Sequence, residues 1–237
     1  MAYLHNEIRN ETHLVPGLPV DGEQAWSDFM NSVNTKICRF AQHDVIFYEG
    51  DMADRVFEIV EGAVMLYKLL PDGRRQVVEM LGPQALFGIP AHGIYDCAAE
   101  TLVPTVLRSL RRRDLEEQMD LQQHITRCLL SQMERLHDHA VLLGRKSATE
   151  RVASFLFRFV ANRGGVGCTG PAKGETDEET VRLNMTRQEI ADFLGLTIET
   201  VSRVFSDMKR RGVICIEKTD QIRINNVCGL CHLTGAH

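Results

Sequence analysis

Residues 186–205 read Thr186-Arg187-Gln188-Glu189-Ile190-Ala191-Asp192-Phe193-Leu194-Gly195-Leu196-Thr197-Ile198-Glu199-Thr200-Val201-Ser202-Arg203-Val204-Phe205. The spacing predicts two short helices broken at Gly195. Thr186 is placed to cap the first, its hydroxyl accepting an orphan backbone N–H, and Glu189 three positions on completes a capping box. Ile190, Phe193 and Leu194 recur at helical spacing. Gly195 falls where that helix must stop, and glycine takes positive φ there without a Cβ penalty. Thr197 can cap the second helix, whose apolar positions are Val201, Val204 and Phe205. With that face inward, Ile198, Glu199, Ser202 and Arg203 point outward. A polar face carrying a carboxylate and a guanidinium suits entry into a DNA major groove. On spacing alone an ordinary helical hairpin with a wet outer face fits equally well.

The residues themselves decide between the two. Thr-Arg-Gln-Glu-Ile followed by Gly-Leu-Thr-Ile-Glu-Thr-Val-Ser-Arg closely resembles the DNA-binding element of the CRP/FNR family of bacterial regulators. Within it, Ile-Glu-Thr-Val-Ser-Arg looks like the FixK/Fnr branch.

Working outward, 237 residues suit one large domain or two ordinary ones. With 44% hydrophobic and 25% charged residues, the composition is that of a soluble globular protein with a real core. The net charge of −5 does not advertise nucleic-acid binding. Local charge matters more, and Arg182 to Ile214 holds six basic residues against four acidic ones, a net +2. The N-terminus lacks the basic-then-apolar pattern of a signal peptide, and no uncharged apolar run reaches membrane length. Seven cysteines, an odd number without an export signal, argue for a reducing cytoplasm.

Residues 1–20 are proline-broken at Pro16 and Pro19 and read as a flexible arm. Asp21 to Ser32 is predicted helical, with Ala25, Trp26, Phe29 and Met30 as its apolar stripe. From about 36 to 109 come short β-type runs, including 44–48, 55–60, 63–69 and 76–81. They are punctuated by Glu49-Gly50-Asp51, Glu61-Gly62, Pro71-Asp72-Gly73 and Gly82-Pro83. Such spacing suggests a sandwich or barrel. Tyr-Glu-Gly-Asp, Val-Glu-Gly-Ala-Val and Leu-Leu-Pro-Asp-Gly-Arg-Arg resemble the double-stranded β-roll of cyclic-nucleotide-binding-type sensor domains.

After Arg111-Arg112-Arg113 a helical pattern runs to about Leu143. Leu129, Met133, Leu136, Ala140 and Leu143 step by 4, 3, 4 and 3, a seam of period 3.5. That stripe can pack on the β-roll. The family resemblance instead implies a parallel homodimer, with Arg135 and Asp138 flanking the seam. Gly144 and Arg145-Lys146 are a candidate hinge. Ser147-Ala148-Thr149-Glu150 is a capping box opening the next helix, with Val152, Phe155, Leu156 and Phe159 as its buried face. Residues 162–180, rich in glycine and acid, read as a solvated loop. Gly212 to Ile216 and Gln221 to Ile224 alternate like the strands of a wing, turned at Lys218-Thr219-Asp220.

The expected architecture is therefore α+β. It comprises an N-terminal arm (1–20), a β-roll sensor domain (21–113), a dimerisation helix (114–144), a winged helix–turn–helix (145–227) and a cysteine-containing tail (228–237).

The resemblance implies that Glu199, Ser202 and Arg203 touch base edges and that Arg187, Gln188, Thr197 and Thr200 contact phosphates. The chemistry fits, since glutamate accepts from a cytosine amino group and arginine donates twice to guanine. Phosphate contacts set register without reading sequence. Ile198 stands where the CRP branch has arginine. The implied site is a palindrome of the TTGAT-N4-ATCAA kind, bound by a dimer that also contacts RNA polymerase through β-roll loops such as Asp72 to Arg75. The implied regulon covers low-oxygen, redox or nitrogen-fixation genes.

The signal is harder to place. A cyclic-nucleotide pocket of this fold needs a Glu for the ribose and an Arg for the phosphate. Here Leu86-Phe87-Gly88-Ile89-Pro90 and Tyr95-Asp96-Cys97-Ala98 supply neither, which argues against cyclic AMP. The N-terminal cysteine group with which the Fnr branch holds an iron–sulfur cluster is missing too. Cys215, Cys228 and Cys231 gather at the C-terminus instead, the last two with Cys-x-x-Cys spacing, as candidate ligands for a metal or iron–sulfur cluster or as a redox dithiol. Incidental thiols on a flexible tail are the alternative. Two other functional readings are a cyclic-nucleotide-responsive regulator and a metal or redox protein built on those cysteines. No nucleophile–base pair, phosphate loop or paired-carboxylate motif points to an enzyme.

Overall fold

The computed structural model describes residues 26–30, 35–116, 121–160, 170–171, 176–218 and 220–235. The expected arm, the ends of the 21–32 helix, most of the 162–180 loop and Thr219 of the wing turn lie outside them. The chain divides into two compact units. One runs to Leu70 and resumes over Val78–His137; the other joins Pro71–Val77 to Asp138–His237.

Two four-stranded antiparallel sheets form the β-roll, which lies in the first unit apart from residues 75–77. One has the order β1-β8-β3-β6, from Lys36–Phe40, Thr105–Arg111, Arg55–Glu61 and Leu86–Phe87. The other is β2-β7-β4-β5, from Val45–Phe47, Ala98–Thr101, Val64–Leu69 and Arg75–Leu81. Alternate residues of both sheets point between them, and Phe47, Phe57, Ile59, Val64, Leu66, Leu81, Phe87, Tyr95 and Leu107 form one core. Gly62 turns β3 into β4 at φ +103°, where a Cβ would lie 2.7 Å from the Thr105 backbone, so no larger residue fits.

Helix α1 (residues 26–30) lays Trp26, Phe29 and Met30 against Val56, Leu110, Leu115, Leu121 and Ile125. The Trp26 indole donates to Glu58 Oε1 at 2.9 Å, and Glu58 in turn pairs with Arg108 at 3.2 Å. The buried Trp26 and Glu58 side chains thus find partners, as burial of polar groups requires.

Helix α2 (Arg112–Glu116) precedes α3 (Gln122–Arg145), which has 24 residues and is about 36 Å long at 1.5 Å per residue. The helix runs through Gly144 without interruption. Its inner face is fastened to the β-roll within the first unit: Gln132 donates to Leu86 O at 2.7 Å and Arg135 pairs with Glu79 at 3.1 Å. Arg135, expected beside the seam, is thereby committed inside its own chain. On the outer face Leu129, Met133 and Leu136 are each more than 40% exposed. Ala140 is exposed as well, whereas Leu143 is half-buried.

The second unit contains α4 (Ala148–Phe157), β9 (Glu179–Arg182), α5 (Arg187–Leu194), α6 (Ile198–Arg210), β10 (Ile214–Lys218), β11 (Gln221–Ile224) and α7 (Val227–Leu233). The Ser147–Glu150 capping box opens α4, whose Val152, Phe155 and Leu156 are buried. The wing is a three-stranded sheet in the order β10-β11-β9. Strand β9 lies at the end of the stretch read as a loop, pairing Val181 with Ile222. Residues Cys228 to Leu233 of the expected tail are helical, with Asn226 as N-cap and Leu230 buried.

Candidate nucleic-acid interface

Helix α5 begins with the reciprocal cap. Thr186 Oγ1 accepts from Glu189 N at 3.2 Å, and Glu189 Oε2 accepts from Thr186 N at 2.6 Å. It ends at Gly195 with φ 59° and ψ 40°, the left-handed conformation that lets the chain turn at once into α6. Thr197 caps α6 by accepting from Thr200 N at 3.2 Å. Val201, Val204, Phe205 and Met208 of α6 are buried. Four residues expected to face outward do so: Ile198, Glu199, Ser202 and Arg203 are exposed.

The exposed face combines a carboxylate acceptor with a guanidinium donor. The Glu199 carboxyl is held below the usual carboxylate range by a hydrogen bond from its own backbone N–H and by the Thr197 side chain, so it stays an acceptor. Arg203 is an exposed guanidinium four residues along, on the same side of the helix. Ser206, one turn beyond Ser202, continues the polar face and donates to Ser202 O at 2.8 Å. Sequence reasoning passed over it, although the i+4 spacing was visible.

The residues expected at phosphates are placed unevenly. Thr197 is exposed and Thr200 partly so, their hydroxyls 3.1 Å apart. Gln188 is exposed, and its amide donates to Asp192 Oδ1 at 2.6 Å. Arg187 is half-buried, with its guanidinium carbon 3.7 Å from the centre of the Phe205 ring. Burial lowers its pKa, but a guanidinium remains charged at neutral pH. The stacking ties the start of α5 to the middle of α6, so Arg187 braces the helix pair in addition to any backbone contact.

The last turn of α5 is gripped from three sides. His139 shares a hydrogen bond with Phe193 O at 2.8 Å and stacks on the Phe193 ring. Gln76 donates to the same carbonyl at 3.3 Å, and Arg151 donates to Leu194 O at 2.9 Å and Leu143 O at 2.6 Å. Donors and a cation at a helix C-terminus satisfy orphan carbonyls and oppose the negative dipole end. Arg75 forms an ion pair with Asp192 at 2.9 Å.

The C-terminal cysteines separate into two places. Cys215 sits on β10 opposite Arg223 of β11, whose guanidinium pairs with Glu217 at 3.0 Å and Glu178 at 3.6 Å; the Cys215 side chain, and then these carboxylates, raise its pKa. Cys228 and Cys231 lie one turn apart on α7, where Cys228 N donates to Asp177 Oδ2 at 3.0 Å. Among the described residues, these three thiols do not come within the 4.8 Å that the ligands of a single ion would span. In the β-roll, the segments that would have to supply a ribose acceptor and a phosphate cation, residues 86–90 and 95–98, contain no basic side chain, and Asp96 is their one charged residue. Phe87 and Tyr95 are buried, Tyr95 stacks on Phe47 at 3.7 Å, and its hydroxyl donates to Arg55 O at 2.8 Å.

Residues 150–233 match the family described as the Crp-like helix-turn-helix domain, and residues 37–122 the cyclic nucleotide-binding domain. The chain is 37% identical over 185 residues to the nitrogen fixation regulation protein FixK of Bradyrhizobium diazoefficiens, covering 75% of this chain and 73% of that one. It is 34% identical over 196 residues to the transcriptional activator protein FnrL of Cereibacter sphaeroides, covering 80% and 77%. The solved structure of FixK2 from Bradyrhizobium japonicum superposes with a TM-score of 0.74 at 31% identity, covering 86% of this chain and all of that one.

Proposed function

The chain belongs to the CRP/FNR family of DNA-binding transcription regulators, and we propose that it acts as a homodimer that activates genes of low-oxygen, redox or nitrogen-fixation metabolism. In this reading two copies of α6 enter successive major grooves of a TTGAT-N4-ATCAA-like palindrome, about one helical turn or 34 Å apart. Glu199, Ser202 and Arg203 read base edges, each good contact being worth about 1–3 kcal/mol of discrimination. Gln188, Thr197, Thr200 and Arg187 fix the helix on the backbone. The observation that carries the reading is α6 itself: Val201, Val204, Phe205 and Met208 are buried while Glu199, Ser202 and Arg203 stand out in solvent.

Two-fold pairing is supported by the outer stripe of α3, where Leu129, Met133 and Leu136 are exposed in the single chain at coiled-coil spacing. The choice of genes rests on relatives named for nitrogen fixation and for transcriptional activation. Contact with RNA polymerase falls to the β4–β5 turn, where Asp72 and Arg74 form an exposed ion pair at 2.8 Å. No described helix is long and apolar enough to cross a membrane. A cytoplasmic site of action follows from the DNA-bound role.

Fluorescence anisotropy with the palindrome and with a duplex of scrambled half-sites tests the proposal. Tight binding of two chains per palindrome and weak, strongly salt-dependent binding to the scrambled duplex is the expected result. Equal affinity for both duplexes would overturn it.

A further inference from the structure

We infer that Arg75 and Asp192 form a positioning pair that prepares Gln188 for the DNA backbone, an inference that rests on the reading of α5 and α6 as the DNA-binding pair. Residues 71–77 belong to the same compact unit as α5. Arg75 Nε donates to Asp192 Oδ2 at 2.9 Å, and Gln188 Nε2 donates to Asp192 Oδ1 at 2.6 Å. One carboxylate therefore joins a guanidinium to a surface amide, with each oxygen assigned to one partner. The Asp192 side chain is only 9% exposed and that of Arg75 22%, so solvent screens this pair far less than an ordinary surface ion pair.

A buried carboxylate is an odd choice on a helix that lies along a polyanion. Gln188 holds one amide hydrogen on Asp192 and has a second free to point outward. A phosphate on that second hydrogen would lie about 5–6 Å from the Asp192 carboxylate, two hydrogen-bond lengths away. Uncompensated, Asp192 would repel it. Arg75 cancels that charge while leaving Oδ1 available to fix the Gln188 rotamer. Gln76, the next residue, donates to Phe193 O at 3.3 Å and holds the same turn of α5 in place. Arg75 thus acts on DNA through Asp192 and Gln188 rather than by touching it. Its neighbour Arg74 faces solvent with Asp72, leaving the turn's outer side to other partners.

Anisotropy titrations of the full-length protein with the TTGAT-N4-ATCAA duplex test the pair. Arg75→Ala is expected to weaken binding roughly tenfold, within the range of coupling between groups in contact. Adding Asp192→Asn to that variant should restore most of the affinity, because the repelling charge is gone. Arg75→Lys, which keeps the charge, should bind close to wild type. Wild-type affinity in Arg75→Ala would overturn the inference. So would a double variant as weak as Arg75→Ala, which would mark Arg75 as a structural brace. Should the alanine variant melt low, Arg75→Gln repeats the test with a donor but no charge; weakened binding supports the pair and wild-type binding overturns it. Gln188→Ala separates the two readings. Unchanged affinity there overturns the phosphate role of Gln188 and the pair with it. Weakened Gln188→Ala beside an unaffected Arg75→Ala overturns the pair alone.

Discussion

Replacing Gly195 by alanine should loosen the helix–turn–helix by an amount the backbone sets. Gly195 holds φ 59° and ψ 40°, where an L-residue's Cβ crowds the following carbonyl at a cost of about 1–2 kcal/mol. The added Cβ would also lie 3.2 Å from Leu143 Cδ2, the far end of a side chain able to shift by a few tenths of an ångström. Strain in φ therefore dominates, and crowding adds little. Asparagine carries the same Cβ but tolerates the left-handed region, so Gly195→Asn should cost less than Gly195→Ala. The sole tryptophan, Trp26, lies in the other compact unit, which makes its fluorescence a control and not the readout. Amide hydrogen exchange across α5 and α6 reports the local opening directly. A loss of 1–2 kcal/mol corresponds to roughly 5- to 30-fold faster exchange in Gly195→Ala, with Trp26 emission unchanged. Exchange at the wild-type rate in the alanine variant would refute the strain argument. Equal acceleration in both variants would move the cost from φ to the Leu143 contact.

Two further outcomes follow from particular side chains. Leu136→Glu puts a carboxylate into the α3 stripe of each copy; at about 1.5–3 kcal/mol of burial per leucine, counted twice by symmetry, it should yield a monomer by light scattering. A variant that stays dimeric would remove α3 from the interface. Burial pushes the thiols of Cys97 and Cys128 up to about 12 and about 11, so almost no thiolate exists at pH 8. Iodoacetamide should leave both unmodified in native protein at that pH, label them as the pH approaches those values, and label them fully after denaturation. Rapid native labelling at pH 8 would contradict their placement.

What was legible in the sequence was local. The Thr186–Glu189 box, the Gly195 stop, the Thr197 cap and the apolar positions of α6 all lie within four residues of their partners, and each took the conformation its chemistry favours. The turns announced by Glu61-Gly62, which carries the chain from one sheet to the other, and by Pro71-Asp72-Gly73, which joins β4 to β5, were legible for the same reason. Long-range pairings were not. Arg75 meets Asp192 across 117 positions, and nothing in either neighbourhood announces it. Arg135 looks like a seam-flanking charge until Glu79, 56 positions earlier, is brought beside it. Strand β9 hid because Thr180 and Val181, its only β-formers, follow a glycine- and acid-rich run, and its pairing with β11 supplies what propensity does not. Spacing in Cys228-Gly229-Leu230-Cys231 suggested a shared ligand, whereas Cys215 finds its partner across a strand pair in Arg223.

Base reading by the outer face of α6 is put to the test by a thermodynamic cycle on Arg203. Wild type and Arg203→Ala are titrated against the palindrome and against the same duplex with the half-site guanine replaced by adenine. Wild type should lose about 1–3 kcal/mol per half-site on the altered duplex, while Arg203→Ala binds the two duplexes equally. An Arg203→Ala protein that keeps the wild-type preference for guanine would show that Arg203 does not read that base.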